Sequence, residues 1–374
     1  MILISTQCFP PDIGGIQAVM AGLARSATRC GMPVTVVADS TAGSEEHDAA
    51  QAYRIVRYGG PKVLRRPLKA RAVSRMAAAE PDAILICDTW KSLEYLAPCN
   101  VPTLVFAHGM ELPPDASARK RSRIARTLGT ATAVIAASRY TAEMARPYVP
   151  LDTPLVVINP AIEPLGDASR AAADLRAQYG QPLLVGLARL EPRKGFDRVI
   201  EALPDLAERH PGVSFLIGGD GDDRARLQDI ARRLGVASRV HFLGRLGEVQ
   251  KLAVLAAADL FVMPTRRAGN SVEGFGIVYA EAAWFGVPAV AGSDGGAGDF
   301  VEDGITGRLV DGRLPIANAL LDLLSSGDRL RSMGRAAQVK VRSSGLWEHA
   351  FARLMNLARP AQARLRVPEA LGYR

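Results

Sequence analysis

Short runs of aliphatic and β-branched residues recur along the chain, and each is apolar throughout instead of alternating with polar positions. That pattern marks strands covered by helices on both faces of a parallel sheet. In the first half the runs fall at 2–6, 34–38, 83–87, 103–107, 133–136 and 155–158. In the second half they fall at 183–188, 214–217, 240–242, 260–262, 289–291 and 307–310. Between them lie stretches of helical spacing, such as 17–29 and 118–128. Two successive strand–helix arrays predict two doubly wound α/β domains. The boundary is expected between 159 and 181, a stretch punctuated by Pro160, Pro164 and Gly166 and ended by Tyr179-Gly180-Gln181-Pro182. This divides the chain into 1–160 and 161–345, with a last helix at about 346–358 that has no strand after it and is free to pack back on the first domain. The tail beyond, with Pro360 and Pro368, is expected to be irregular.

Length and composition agree with that division. The chain has 374 residues, 48% hydrophobic and 22% charged, which is more than one core accommodates comfortably. No apolar run is long enough to span a bilayer, and the Met1–Ile4 start reads as a first strand and not as a signal peptide. Cys8, Cys30, Cys87 and Cys99 show no metal or redox spacing and are expected to be free, buried thiols of a cytoplasmic protein. The net charge of +8 is uneven: residues 1–150 hold 18 Lys and Arg against 12 Asp and Glu. Arg54, Arg57, Lys62, Arg65, Arg66, Lys69, Arg71 and Arg75 follow one another without an acid, and a second run holds Arg119, Lys120, Arg121, Arg123 and Arg126. A basic face on one domain favours an anionic partner such as a lipid surface or a phosphorylated acceptor, although a solvated face has the same composition. With aromatics at 6%, base stacking has little support, and nucleic acid is not expected as a partner.

Candidate chemistry sits where strands end. Gly14-Gly15 follows the first strand and opens the first helix, which lets backbone N–H groups approach an anion; a tight packing turn would use the same glycines. His108-Gly109 follows the 103–107 strand, in the position where α/β sheets gather ligands. Arg189, Arg193 and Lys194 crowd the loop after the 183–188 strand, and such cations suit a diphosphate. In Ser271-Val272-Glu273-Gly274-Phe275-Gly276-Ile277-Val278-Tyr279-Ala280-Glu281, two glutamates flank a glycine-rich helix start, so a carboxylate lies on either side of an anion site. Gly295-Gly296-Ala297-Gly298 is a further close-approach turn. Asp220-Gly221-Asp222-Asp223 has the spacing of a metal cluster. It leads into a helix, however, where acids serve as caps, and that structural role is the expected one.

Taken together, the segments FPPDIGGIQ, HGME, RLEPRKGFDRVIEAL, FLGR, SVEGFGIVYAE and GVPAVAGSDGG resemble the GT-B glycosyltransferases of family 4 over nearly the whole chain. Within them, FVMPTR, VEGFGIVYAEA and PRKG look similar to bacterial GDP-mannose-dependent α-mannosyltransferases of the phosphatidylinositol-mannoside type. The resemblance implies two Rossmann-like domains facing across a cleft and a retaining hexosyltransferase without a metal or other cofactor. It implies a nucleotide-sugar donor and a glycan or lipid-linked acceptor of the cell envelope. It also assigns roles. Gly14 and Gly15 border the donor phosphates. His108 meets the transferred sugar. Arg189 and Lys194 neutralise the leaving diphosphate. Glu273 and the amides of Gly274, Phe275, Gly276 and Ile277 hold sugar and phosphate, Glu281 takes the ribose hydroxyls, and Arg245 lies near the base. The mechanism so implied is front-face substitution through an oxocarbenium-like state, with domain closure excluding water. Two departures stand out: Asn159-Pro160-Ala161 replaces the usual Asn-Gly, and Gly295-Gly296-Ala297-Gly298-Asp299 lacks the usual proline and glutamate. A UDP-sugar transferase and a nucleotide-sugar epimerase are the alternatives on the same frame. A dinucleotide oxidoreductase is disfavoured by the missing GxGxxG.

Overall fold

The computed structural model describes residues 1–269 and 271–359, so the expectation for the tail from Pro360 lies outside it. The chain forms two compact units, Met1–Ala161 together with the segment from Trp347, and Ile162–Leu346.

The first unit carries β1 (Ile2–Ser5), β2 (Val34–Asp39), β3 (Arg54–Tyr58), β4 (Ile84–Cys87), β5 (Thr103–Ala107), β6 (Ala133–Ala136) and β7 (Leu155–Val157). They form one parallel sheet in the order β3-β2-β1-β4-β5-β6-β7. The second unit carries β8 (Leu183–Leu187), β9 (Ser214–Gly218), β10 (Val240–Gly244), β11 (Leu260–Met263), β12 (Ala289–Gly292) and β13 (Gly307–Val310), parallel in the order β10-β9-β8-β11-β12-β13. In each sheet the strand order reverses beside the first strand, between β1 and β4 and between β8 and β11. Beyond the carboxyl ends at such a reversal the flanking loops part and leave a ligand crevice.

Burial follows the apolar runs. Leu3, Ile4, Leu85 and Val105 are fully buried in the first unit, and Leu184, Phe215, Phe261 and Val290 in the second. Each such side chain contributes about 1.5–3 kcal/mol of apolar burial. β3 was not anticipated among the strands, because Arg54-Ile55-Val56-Arg57-Tyr58 is half charged or polar; it pairs only with β2, at the sheet edge. The helix Trp347–Ala358 packs on the helix Gly15–Arg29, and a Cβ at Gly22 would lie 2.1 Å from the Trp347 indole nitrogen.

Two expectations need correction. The basic run from Arg54 to Arg75 does not present one continuous basic face. Arg57 pairs with Asp48 at 2.7 Å, and Asp39 takes both Arg65 at 2.9 Å and Lys69 at 2.7 Å, so these cations turn inward. Arg54, Lys62, Arg71 and Arg75 remain exposed. The four cysteines are free, but only Cys87 is fully buried and Cys30 is exposed.

Candidate active site

In the second unit the crevice is built by the loops after β8 and β11. The first contains a single 3-10 turn, Pro192–Lys194, ended by Gly195 in the left-handed region at φ 77°. A side chain at Gly195 would meet the Pro264 carbonyl at 2.2 Å, so glycine lets the two loops touch. The turn aims Lys194 at the β11 loop. Lys194 Nζ lies 2.5 Å from Glu273 Oε2, and Arg193 Nη1 reaches the same oxygen at 3.3 Å. Arg193 is braced from behind by Glu191 at 2.8 Å. Burial alone would push the Glu273 carboxyl up, but Lys194 and Arg193 outweigh it and hold it below the ordinary carboxylate range. The result is an ionised acid and two cations gathered at the strand-order reversal.

The backbone of Glu273 is fixed from β12. The Gly296 N–H donates to the Glu273 carbonyl at 2.9 Å. Gly295 has φ 124° and ψ −152°, and a Cβ there would lie 2.5 Å from the same carbonyl oxygen. The turn that lacks the usual proline and glutamate thus serves as a backbone clamp. Past Glu273, Gly276 at φ 82° opens the helix Ile277–Trp284, and no side chain caps that start. Phe275 is buried against Phe300, ring centroids 6.3 Å apart, so only its main chain faces the helix start. Tyr279 ties the first turn down through its hydroxyl, 2.6 Å from the Met263 carbonyl.

Not every residue of the sequence reading gathers there. Glu281, little more than one turn into the helix Ile277–Trp284, is bonded to Lys251 at 2.9 Å. Lys251 comes from the neighbouring helix Glu248–Ala257 and also meets Glu248 at 3.1 Å. Burial works against its charge, but the two glutamates prevail and raise its pKa. Lys251 was missed in the sequence because its partner is 30 residues away on another helix. Arg189 is 70% exposed and only 3.6 Å from Glu191, a loose pair that leaves the guanidinium free to swing. Arg245 is exposed at the end of β10, the edge strand, two strands from β8.

The acids of residues 220–223 act structurally, though not as expected. Asp223 caps no helix through its side chain; it is buried against Arg226 at 2.5 and 2.8 Å. Arg226 also meets Asp197 at 3.1 Å, and Asp197 receives Arg266 at 2.7 Å. Among the described residues no group of three or more potential metal ligands assembles.

In the first unit, His108 follows β5. Its backbone N–H is accepted by Glu111 at 2.7 Å, its ring stacks on Phe106 with centroids 6.0 Å apart, and its buried Nε2 has no partner among the described residues. Gly14 is extended and Gly15 opens the helix Gly15–Arg29. A Cβ on Gly15 would meet nothing within 4 Å, so neither packing nor backbone angle accounts for a glycine there. Asn159 is tied to the Ala137 carbonyl at 3.0 Å. Asp39 ends β2, where dinucleotide-binding folds carry a ribose-binding acid. Lys69 and Arg65 occupy it, which argues further against an oxidoreductase.

Residues 13–164 match the profile Glycosyltransferase Family 4, and residues 168–340 match Glycosyl transferases group 1. The chain is 35% identical, over 95% of its length and 97% of the relative's, to the GDP-mannose-dependent alpha-(1-6)-phosphatidylinositol monomannoside mannosyltransferase of Mycolicibacterium smegmatis. It is 31% identical, over 95% and 97%, to the GDP-mannose-dependent monoacylated alpha-(1-6)-phosphatidylinositol monomannoside mannosyltransferase of Corynebacterium glutamicum. Among solved structures, Anabaena HepE in complex with UDP and glucose superposes with a TM-score of 0.78 at 20% identity, over 95% of this chain and 98% of that one. That likeness speaks for the fold alone. From the two matched profiles, the full-length relatives and the paired parallel sheets, the chain belongs to glycosyltransferase family 4, the GT-B hexosyltransferases.

Proposed function

We propose that the protein transfers mannose from GDP-mannose, with retention of the α configuration, to a lipid-linked acceptor of the cell envelope. The observation that carries this reading is the Lys194–Glu273–Arg193 cluster at the β8/β11 reversal, in a chain so similar over its length to GDP-mannose-dependent enzymes. Lys194, with Arg189 swung away from Glu191, offsets the charge that builds on the leaving diphosphate, and the start of the helix Ile277–Trp284 adds its dipole. The β-phosphate oxygen takes the acceptor proton. Glu273 and the Gly274–Ile277 amides orient the sugar and phosphate. Glu281 exchanges Lys251 for the ribose hydroxyls, while His108 offers its unpaired Nε2 to the sugar. Gly14 and Gly15 admit the phosphates, and Arg245 lies toward the base. The cations and the helix dipole do without a metal. Thermal-shift titration with GDP, UDP, ADP and their sugars, in EDTA, tests the donor. Selective stabilisation by GDP and GDP-mannose is expected, worth about 2.7 kcal/mol at a hundredfold excess over Kd. Stabilisation by UDP-sugars alone would replace the donor, and loss of the response in EDTA would require a metal.

The acceptor is reached at an anionic membrane, on the cytoplasmic face in this reading. Among the described residues no helix is long and apolar enough to cross a bilayer. The helix Lys62–Ala79, however, exposes Val63 at 79%, Leu64 at 62% and Leu68 at 57%, beside exposed Lys62, Arg71 and Arg75. Apolar side chains flanked by lysine and arginine suit an interfacial helix, and each cation near such a surface adds about 1 kcal/mol. Co-sedimentation with phosphatidylglycerol vesicles is expected to exceed that with phosphatidylcholine at low salt, and to fall for Leu64→Glu/Leu68→Glu. Equal recovery with both vesicles would remove the membrane role.

A further inference from the structure

The start of the loop that follows β1 is held by a buried carboxylate, Asp88, and by the buried Lys69, whose Nζ donates to the Thr6 carbonyl at 2.6 Å. Asp88 is 1% exposed and directly follows β4, so it sits at the strand-order reversal of the first sheet. Its Oδ2 accepts the Gln7 N–H at 2.8 Å and lies 2.9 Å from the Thr6 hydroxyl, whose single proton it shares with the Cys8 carbonyl at 2.8 Å. The Thr6 oxygen in turn accepts the Cys8 N–H at 3.1 Å. On the other side, Oδ1 takes the Ser92 hydroxyl at 2.5 Å. Three consecutive loop residues therefore take their positions from a side chain on the neighbouring strand. Farther along, Arg57 donates to the Pro10 carbonyl, and the Thr41 hydroxyl donates to Asp12 at 2.7 Å. The loop is pinned along its length up to Gly14-Gly15.

The groups that meet Asp88 directly, the Gln7 N–H and the Thr6, Thr89 and Ser92 hydroxyls, are all neutral, and the one cation beside them, Lys69, is bonded to the Thr6 carbonyl. Burying a carboxylate among neutral groups is costly unless its hydrogen bonds are made, and bonds from backbone N–H to an ionised acceptor are roughly twice as strong as neutral ones. A neutral side chain would close the end of a strand at less cost. The carboxylate points instead to a loop whose placement matters.

We propose that Asp88 is a positioning residue for the glycine turn Gly14-Gly15, setting the backbone that transfer requires beside the donor phosphates. The proposal rests on the transferase reading above, whichever nucleotide the donor carries. A misplacement of the order of 1 Å in such a backbone costs about 10²-fold in rate. The turn acts in this reading on the phosphates during transfer and not on the bound nucleotide in its ground state, so nucleotide affinity is expected to stay as it is. Asparagine can keep the geometry: its carbonyl meets Gln7 and Thr6, and its amide donates to Ser92.

The test uses the full-length protein with GDP-mannose and UDP-glucose as donors, phosphatidylinositol mannoside and mixed envelope lipids as acceptors, and amide-exchange protection of β2 and β5 to count molecules with a folded first unit. Asp88→Ala is expected to lose about 10²-fold in kcat per molecule so counted, with unchanged nucleotide Kd. Asp88→Asn is expected to stay within about fivefold of wild type, since its geometry is kept. Amide exchange at Gln7 and Cys8 should accelerate in Asp88→Ala and not in Asp88→Asn. If Asp88→Ala fails to fold, Thr6→Val replaces it, cutting the link to Cys8 and lowering kcat in the same direction. A kcat per folded molecule equal to wild type in these variants, with only the melting temperature reduced, overturns the positioning role. Nucleotide binding without transfer by the wild type overturns the transferase reading first, and the proposal with it.

Discussion

Alanine at Lys194 is expected to cut kcat by about 10²–10³-fold, the usual consequence of removing one preorganised charge from a developing anion. Two effects meet in this side chain. Its ammonium is assigned to the leaving diphosphate, and it is the nearer of the two cations on Glu273, 2.5 Å against 3.3 Å for Arg193. Steady-state transfer from GDP-mannose checks the first effect, and full activity of Lys194→Ala would end the assignment. The second shows in stability. The folded pKa of Glu273 is depressed, so its contribution is present above the unfolded pKa and is lost as pH falls through the folded one. Without Lys194 that folded value moves back toward the ordinary range. The acid limb of the melting-temperature profile should therefore begin at higher pH in the variant, and an unchanged limb would mean that Arg193 alone holds the charge.

Gly295→Ala is the second large effect. The residue lies at φ 124°, where an L side chain is strained by about 1–3 kcal/mol. The added Cβ would stand 2.5 Å from a backbone oxygen that cannot rotate away. The Glu273 main chain has to yield, and a shift of that kind is expected to cost about 10²-fold in kcat/KM. The strain should also lower the melting temperature of the second unit by about 2–4 °C per kcal/mol. Activity near wild type would show that the clamp from β12 does not set the position of Glu273.

Much of this was legible in the sequence. Six of the first seven strands and all six of the second set stand out as mainly apolar runs, since most are covered on both faces; single polar residues such as His241 and Arg308 fall in the edge strands β10 and β13. β3 escaped notice because an edge strand has one neighbour and tolerates Arg54 and Arg57. The cluster at Lys194 and Glu273 was readable from glycines and charges at strand ends, since α/β folds put ligands there. What linear spacing does not carry is pairing across loops and helices. Arg193 on Glu273, Lys251 on Glu281 and Asp88 on Thr6 and Gln7 join residues 80, 30 and about 80 positions apart. For the same reason the run from Arg54 to Arg75 read as a uniform face: the acids that neutralise Arg57, Arg65 and Lys69 come from elsewhere in the chain.

The return of the chain to the first unit at Trp347 bears on how such enzymes exchange halves. The second unit is a cassette with two seams, one after Ala161 and one before Trp347. The helix beyond the second seam fills the notch above Gly22, which no Cβ-bearing residue shares with the Trp347 indole as it stands. A chimera that takes everything after the first seam from another enzyme would import a foreign helix into that notch. Grafting Ile162–Leu346 alone, with the resident helix retained, leaves the notch filled by its own tryptophan and confines the exchange to the second unit.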